Sequence, residues 1–203
     1  MKTRSILILV ILSWLFVACQ QSTPSFTAVE STAALQTDLE QEEYAVYSAL
    51  LNDEFSNGDI KLVLIMDHTR VEELSILQDD LASFQKNSPL TADLLDSFME
   101  KNQDSHLLEE KFEIKLEYSL LTQQEVDEFR PLDEASGWDL FYEKYPKSIG
   151  FIYLSEVGFN ADATQALVAY SIYRYEQPLS GCYCFMIKQN GDWVLESGME
   201  WIT

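Results

Sequence analysis

Asn190-Gly191 stands between two runs of strand-forming residues, Cys182 to Lys188 (CYCFMIK) and Asp192 to Ile202 (DWVLESGMEWI). Both turn residues tolerate the positive φ that a two-residue hairpin demands, so the pair commits the C-terminal end of the chain to antiparallel pairing. The same grammar extends backwards. Gly150 to Phe159 (GFIYLSEVGF) and Thr164 to Tyr175 (TQALVAYSIYRY) are strand-like runs separated by a turn signal at Asn160 to Asp162 and followed by a break at Pro178 to Gly181. These runs predict a four-stranded antiparallel meander.

Upstream the period changes. Leu39 to Phe55 places Tyr44, Tyr47, Leu51 and Phe55 on one stripe with Val46 and Leu50 beside it, which is amphipathic helix spacing. Ser56 to Asp59 stops that helix, and Ile60 to Met66 (IKLVLIM) reads as a buried strand. Residues 71 to 88 are ambiguous, with a short helix ending near Phe84 as the simplest reading. Thr91 is the expected N-cap of a helix whose inner face carries Leu94, Leu95, Phe98 and Met99. Phe112 to Tyr118 alternates apolar and charged residues, the pattern of a half-exposed strand. Thr122 and Glu125 have the spacing of a capping box for a helix through Phe129, broken at Pro131. Ser136 to Tyr145 predicts a helix with Trp138, Phe141, Tyr142 and Tyr145 inward. Helices first and strands last predict an α+β fold, with N-terminal helices packed on one face of a mainly antiparallel sheet that ends in the C-terminal meander.

Composition settles what such a domain can meet. With 47% hydrophobic and 12% aromatic residues, the chain can bury a core without metals or disulfides as staples. Its 34 acidic residues against 13 basic ones give a net charge of −21, which repels phosphate backbones and anionic headgroups. Nucleic acid is therefore excluded as an expected partner. The acids are spread along the chain and describe a solvated surface, although they leave a cation-binding module as one alternative.

The N-terminus supplies an address. Lys2 and Arg4 precede an apolar run from Ile6 to Val17, which turns polar at Gln20 and so falls short of the ~20 residues a membrane-spanning helix needs. Phe16-Val17-Ala18-Cys19 resembles the lipobox of bacterial lipoproteins, with Phe16 where that family commonly has leucine. The resemblance implies a signal peptide over residues 1–18, cleavage before Cys19, and lipidation of Cys19. It also implies an outer-membrane destination in a host with two membranes, because Gln20 is not the aspartate that retains such proteins at the inner membrane. Gln20 to Ala34, rich in Ser, Thr, Gln and Ala, has linker composition, so 19–36 is expected to tether a single domain at 37–203. The stretches YAVYSALL, LVLIMDHT and LSEVGFNADATQALV resemble segments of uncharacterised bacterial exported proteins, a resemblance that implies no activity.

Chemistry has few candidates. Asp67-His68 follows the apolar strand directly, and a carboxylate orienting a histidine is the arrangement of a general base, so these residues nominate a hydrolase or other enzyme as the alternative function. His106 lies three residues before Glu109, an H-x-x-E spacing that lacks the second histidine of a metalloprotease helix. Cys182 and Cys184 share a strand face; they are disulfide candidates, although a C-x-C bridge in extended backbone is strained and packed thiols are the simpler reading. No metal site and no cofactor is expected. Tyr173 and Tyr175 alternate against Arg174, predicting a tyrosine-rich exposed sheet face suited to a protein or glycan partner. Together these readings predict a lipid-anchored envelope protein, outside the cytoplasm, that binds or assembles with an envelope partner and does no chemistry itself.

Overall fold

The computed structural model describes residues 27–56, 60–70, 89–129 and 135–202, and the side chains of 27–37 are outside that description. Cys19 and the leader, the expected helix near Phe84 and the break at Pro131 all lie outside the described residues. The fold is α+β, with helices α1 (Thr27–Glu54), α2 (Ala92–Lys101), α3 (Gln123–Asp127) and α4 (Ala135–Lys144). The strands are β1 (Leu62–Met66), β2 (Glu117–Leu121), β3 (Ser148–Leu154), β4 (Gly158–Phe159), β5 (Gln165–Tyr173), β6 (Ser180–Gln189) and β7 (Asp192–Ile202). They form one seven-stranded sheet in the order β2-β1-β3-β5-β6-β7, with β4 paired to β5.

The sheet is mixed. β1 runs parallel to both β2 and β3, whereas β3, β5, β6 and β7 are successive antiparallel neighbours. The meander read from the sequence is present, and Asn190 (φ 55) and Gly191 (φ 100) take the positive φ values of its last turn. The helices are not gathered ahead of the strands, because β1 and β2 fall between them.

Nor do the helices share one face. Successive strand residues point to opposite sides, and the core divides accordingly. Val63 and Ile65 of β1, Ile152 of β3, Val168 of β5 and Cys184 of β6 pack with Tyr47, Leu50 and Leu51 of α1. Leu64, Met66, Phe151 and Tyr153 face the other way, onto Val126 of α3 and Trp138 and Phe141 of α4. Leu167 and Phe185, on that same second side, meet Leu94 and Phe98 of α2. A strand such as LVLIM, apolar at every position, needs cover on both sides, which is why the one-face expectation fails.

The helical stripes are as the spacing predicts: Tyr44, Val46, Tyr47, Leu50, Leu51 and Phe55 are all buried, as are Phe98 and Leu94 of α2. The helix itself begins at Thr27, inside the stretch whose composition reads as linker. The Thr122/Glu125 capping box forms in full.

Two strand predictions are corrected. Phe112 to Leu116 is not strand, because its backbone is claimed by α1. The Glu113 amide donates to Ser48 Oγ (2.8 Å), the Lys115 amide donates to Asn52 Oδ1 (2.8 Å), and Asn52 Nδ2 donates to the Glu113 carbonyl (2.9 Å). Phe112 meanwhile stacks edge-on with Tyr44, 5.1 Å between centroids. GFIYLSEVGF, read as one strand, is split into β3 and β4 at Ser155 to Val157 by clamps from both helical layers. From α1, Glu43 Oε1 accepts from the Val157 amide (3.0 Å). From the end of α2, Asn102 Oδ1 accepts from the Glu156 amide (2.8 Å) and Asn102 Nδ2 donates to the Glu156 carbonyl (3.0 Å). Gly158 then lets α2 lie against β4, since a Cβ there would sit 2.6 Å from the Phe98 backbone.

Candidate functional site

The parallel half of the sheet gathers the carboxyl ends of β1, β2 and β3 at one edge. After β1 the chain forms α2, which packs on β4, β5 and β6, before it returns to β2, whereas from β3 it continues through β4 to β5. The carboxyl ends of strands are the usual place for ligands in sheets with parallel strands. Asp67 to Arg70 emerges there from β1. It is pinned by the Asp67 amide donating to the Leu121 carbonyl (3.0 Å), the Thr69 amide to the His106 carbonyl (2.8 Å), and the Arg70 amide to the Leu154 carbonyl (2.9 Å).

Both histidines of the chain sit on this segment and its neighbour, and each faces a carboxylate. His68 Nδ1 lies 2.8 Å from Asp67 Oδ1, with the two side chains 27% and 26% exposed. The pair read from the sequence is therefore formed, with the imidazole edge-on to Tyr153 at 5.5 Å between centroids. His106 is not on a helix, so the H-x-x-E face does not exist; its Nδ1 contacts Glu156 from the β3–β4 clamp instead. The two segments are tied again by the His106 amide donating to Thr69 Oγ1 (2.9 Å), and by Ser105 Oγ donating to the Thr69 carbonyl (2.7 Å). Both hydroxyls are thus spent on backbone. Among the described residues no hydroxyl or thiol is bonded to the His68 ring.

Beside this segment lies a cleft of about 380 Å³ with aromatic walls: Trp138, Phe151, Tyr153 and Tyr173. The walls are rigid because the rings stack on one another. Phe151 and Tyr173 are parallel within 3° at 5.2 Å, and Trp138 lies on Phe151 at 6.0 Å and 15°. Arg70 and Arg174 also line the cleft, as do Gln123 and Gln177. These are the only two arginines among the described residues, and both line one cavity in a chain of net charge −21. The Arg70 guanidinium lies over the Tyr153 ring at 5.1 Å, a cation–π contact. Arg174 Nη2 donates to Ser180 Oγ (3.2 Å), while its buried Nε has no hydrogen-bond acceptor among the described residues.

The tyrosine-face prediction is corrected here. Alternation placed Arg174 opposite Tyr173, but β5 ends at Tyr173 and the chain turns, with Glu176 at φ 54, so Arg174 and Tyr173 line the same cleft. Tyr175 does not line it; it packs with Tyr173 and Tyr142 against the α4 core. Burial pushes the Tyr142 phenol up, partly offset by the hydrogen bond it accepts from the Tyr175 amide. Arg70, Tyr153, Gln123 and the His106–Glu156 pair were not singled out by sequence reasoning as site residues. Arg70 carried a signal, as one of few arginines placed just after a buried strand.

Cys182 and Cys184 share the face that packs on α1, as their spacing predicts, and both are free buried thiols. The Cys184 thiol hydrogen-bonds Cys182, which holds the Cys182 thiol below the usual range and drives Cys184 well above it. Burial pushes the neighbouring Tyr170 phenol far up as well. Among the described residues no three His, Cys, Asp or Glu groups are placed to share a metal ion, and no helix is long and apolar enough to cross a membrane. No family model, curated protein or solved structure matches the chain.

Proposed function

We propose that the chain is a lipid-anchored protein of the cell envelope, held outside the cytoplasm through Cys19, whose single α+β domain at 37–203 binds a ligand or envelope partner without catalysing a reaction. The leader pattern supports the address, and Gln20 favours the outer membrane where the host has one. One observation supports the binding half: the two arginines of the described residues line one aromatic cleft beside the carboxyl ends of β1 and β3. Guanidinium groups beside aromatic walls are a recognition surface. The net charge of −21 keeps nucleic acid out of this reading.

A second reading, an enzyme using Asp67 and His68, is favoured by the 2.8 Å contact that orients the imidazole. Complementation of a deletion strain separates the two. Under the binding reading His68→Ala restores the deleted function and Arg174→Gln does not; the reverse result establishes the enzyme. For the anchor, Cys19→Ala is expected to abolish palmitate labelling and to move the protein from the membrane fraction to the soluble one. Labelling that survives the substitution overturns it.

A further inference from the structure

We infer that the cleft takes an aromatic carboxylate, a small ligand in which one carboxylate is carried on an apolar ring; this rests on the reading of the cleft as the binding site. Its size comes first. At about 380 Å³ it lies near the lower end of small-molecule sites, which run from roughly 300 to 1,000 Å³. That is room for one or two rings and too little for a folded segment of another protein.

The walls select the body of the ligand. Trp138, Phe151 and Tyr153 are buried and packed ring against ring behind the half-buried Tyr173, so the cleft is preformed and Tyr173 is the ring it offers to an incoming one, a partner that aromatic surface favours over flexible aliphatic or polar groups. The rim selects the charge. Arg70 and Arg174 are planar forks that match a carboxylate, and Arg174 keeps an Nε proton for which the described residues provide no acceptor. Gln123 and Gln177 add neutral amide donors and acceptors for the edge of such a group.

The rest of the molecule limits how much charge the ligand can carry. A net charge of −21 repels polyanions at long range, so a ligand with several phosphates or sulfates is opposed before it reaches the rim. A single carboxylate is repelled least and still matches the guanidinium geometry.

Benzoate, benzyl alcohol and acetate are the probes, applied at neutral pH to the full-length chain in detergent and read by saturation-transfer NMR titration. Benzoate is expected to bind in preference to both others. Arg174→Gln and, separately, the exposed-site variant Arg70→Gln are each expected to weaken benzoate about tenfold and to erase its advantage over benzyl alcohol, as loss of a charge-assisted hydrogen bond requires. Lys115→Gln, which lines a different groove, is expected to leave binding unchanged. Equal binding of benzoate and benzyl alcohol overturns the carboxylate, equal binding of acetate overturns the ring, and no benzoate signal overturns both. If benzoate fails while Arg174→Gln still fails to complement the deletion, the ligand class falls and the binding reading stands. If benzoate fails and Arg174→Gln complements fully, the binding reading falls with it.

Discussion

β1 and β7 belong to one sheet, yet their side chains meet opposite surroundings. β1 is central, parallel to both neighbours, and buried from Val63 through Met66. β7 is an edge strand whose exposure alternates along its length, ending at Ile202, which is 69% exposed. The parallel strands are covered by helices on both sides, and their carboxyl ends bring Asp67, Arg70 and Glu156 to one edge of the sheet. The meander closes its β6–β7 end with a tight turn, and its β5–β6 connection supplies Arg174 and Gln177 to the cleft.

Truncating Ile65, fully buried on the α1 side, is the severest test of that difference. Ile65→Ala is expected to cost about 3 kcal/mol or more in urea unfolding, whereas Ile202→Ala should stay within about 0.5 kcal/mol. Equal costs would erase the distinction between the halves. Next in size is Asn102→Ala, which removes the clamp on Glu156 from the α2 side. The buried Glu156 amide loses its acceptor and the carbonyl loses one of two donors, Ser155 Oγ remaining, at about 1–3 kcal/mol. Hydrogen exchange at Glu156 should accelerate with it, and an unchanged rate there would show that Glu43 alone holds the β3–β4 break.

Much of the meander was legible because its signals are local. Asn190-Gly191 needs only its own backbone to specify a turn, and Thr122 with Glu125 needs only one helical turn. The buried stripe of α1 and the aromatic inner face of α4 follow from spacing alone. The parallel half was less legible because its pairing is decided at long range. Phe112 to Leu116 alternates like a strand, but Ser48 and Asn52 of α1 capture its backbone first. The break at Ser155 is invisible in GFIYLSEVGF because Glu43 and Asn102, which impose it, lie far away in the chain. The site shows the same division. Asp67-His68 is a contact between neighbours and could be read, while the convergence of Arg70 and Arg174 depends on β5 ending at Tyr173, two residues before the alternation implied.

A smaller effect sharpens the account of the meander. Gly191→Ala meets open space, so its whole cost is the φ of 100 that a side chain disfavours, about 1 kcal/mol. A neutral result would mean that the turn relaxes freely. The smallest effect is electrostatic and joins the meander to α1. Burial raises the Glu42 carboxyl, but hydrogen bonds from Lys188 (2.5 Å) and Trp193 (2.7 Å) together outweigh it and hold its pKa below the usual value. A depressed carboxylate contributes stability above its unfolded-state pKa, and that contribution is lost as pH falls through the folded-state value. Glu42→Gln should therefore lower the melting temperature slightly at neutral pH and flatten its fall in acid, leaving the two proteins nearly equal at the acid end. A gap that stays constant across the titration would rule out the ion pair as the source.

The role of the cleft turns on where a ligand sits. A benzoate titration followed by amide chemical shifts is predicted to move Arg70, Tyr153, Tyr173 and Arg174 together while β7 stays still. Shifts confined to β6 and β7, or spread evenly over the surface, would contradict it.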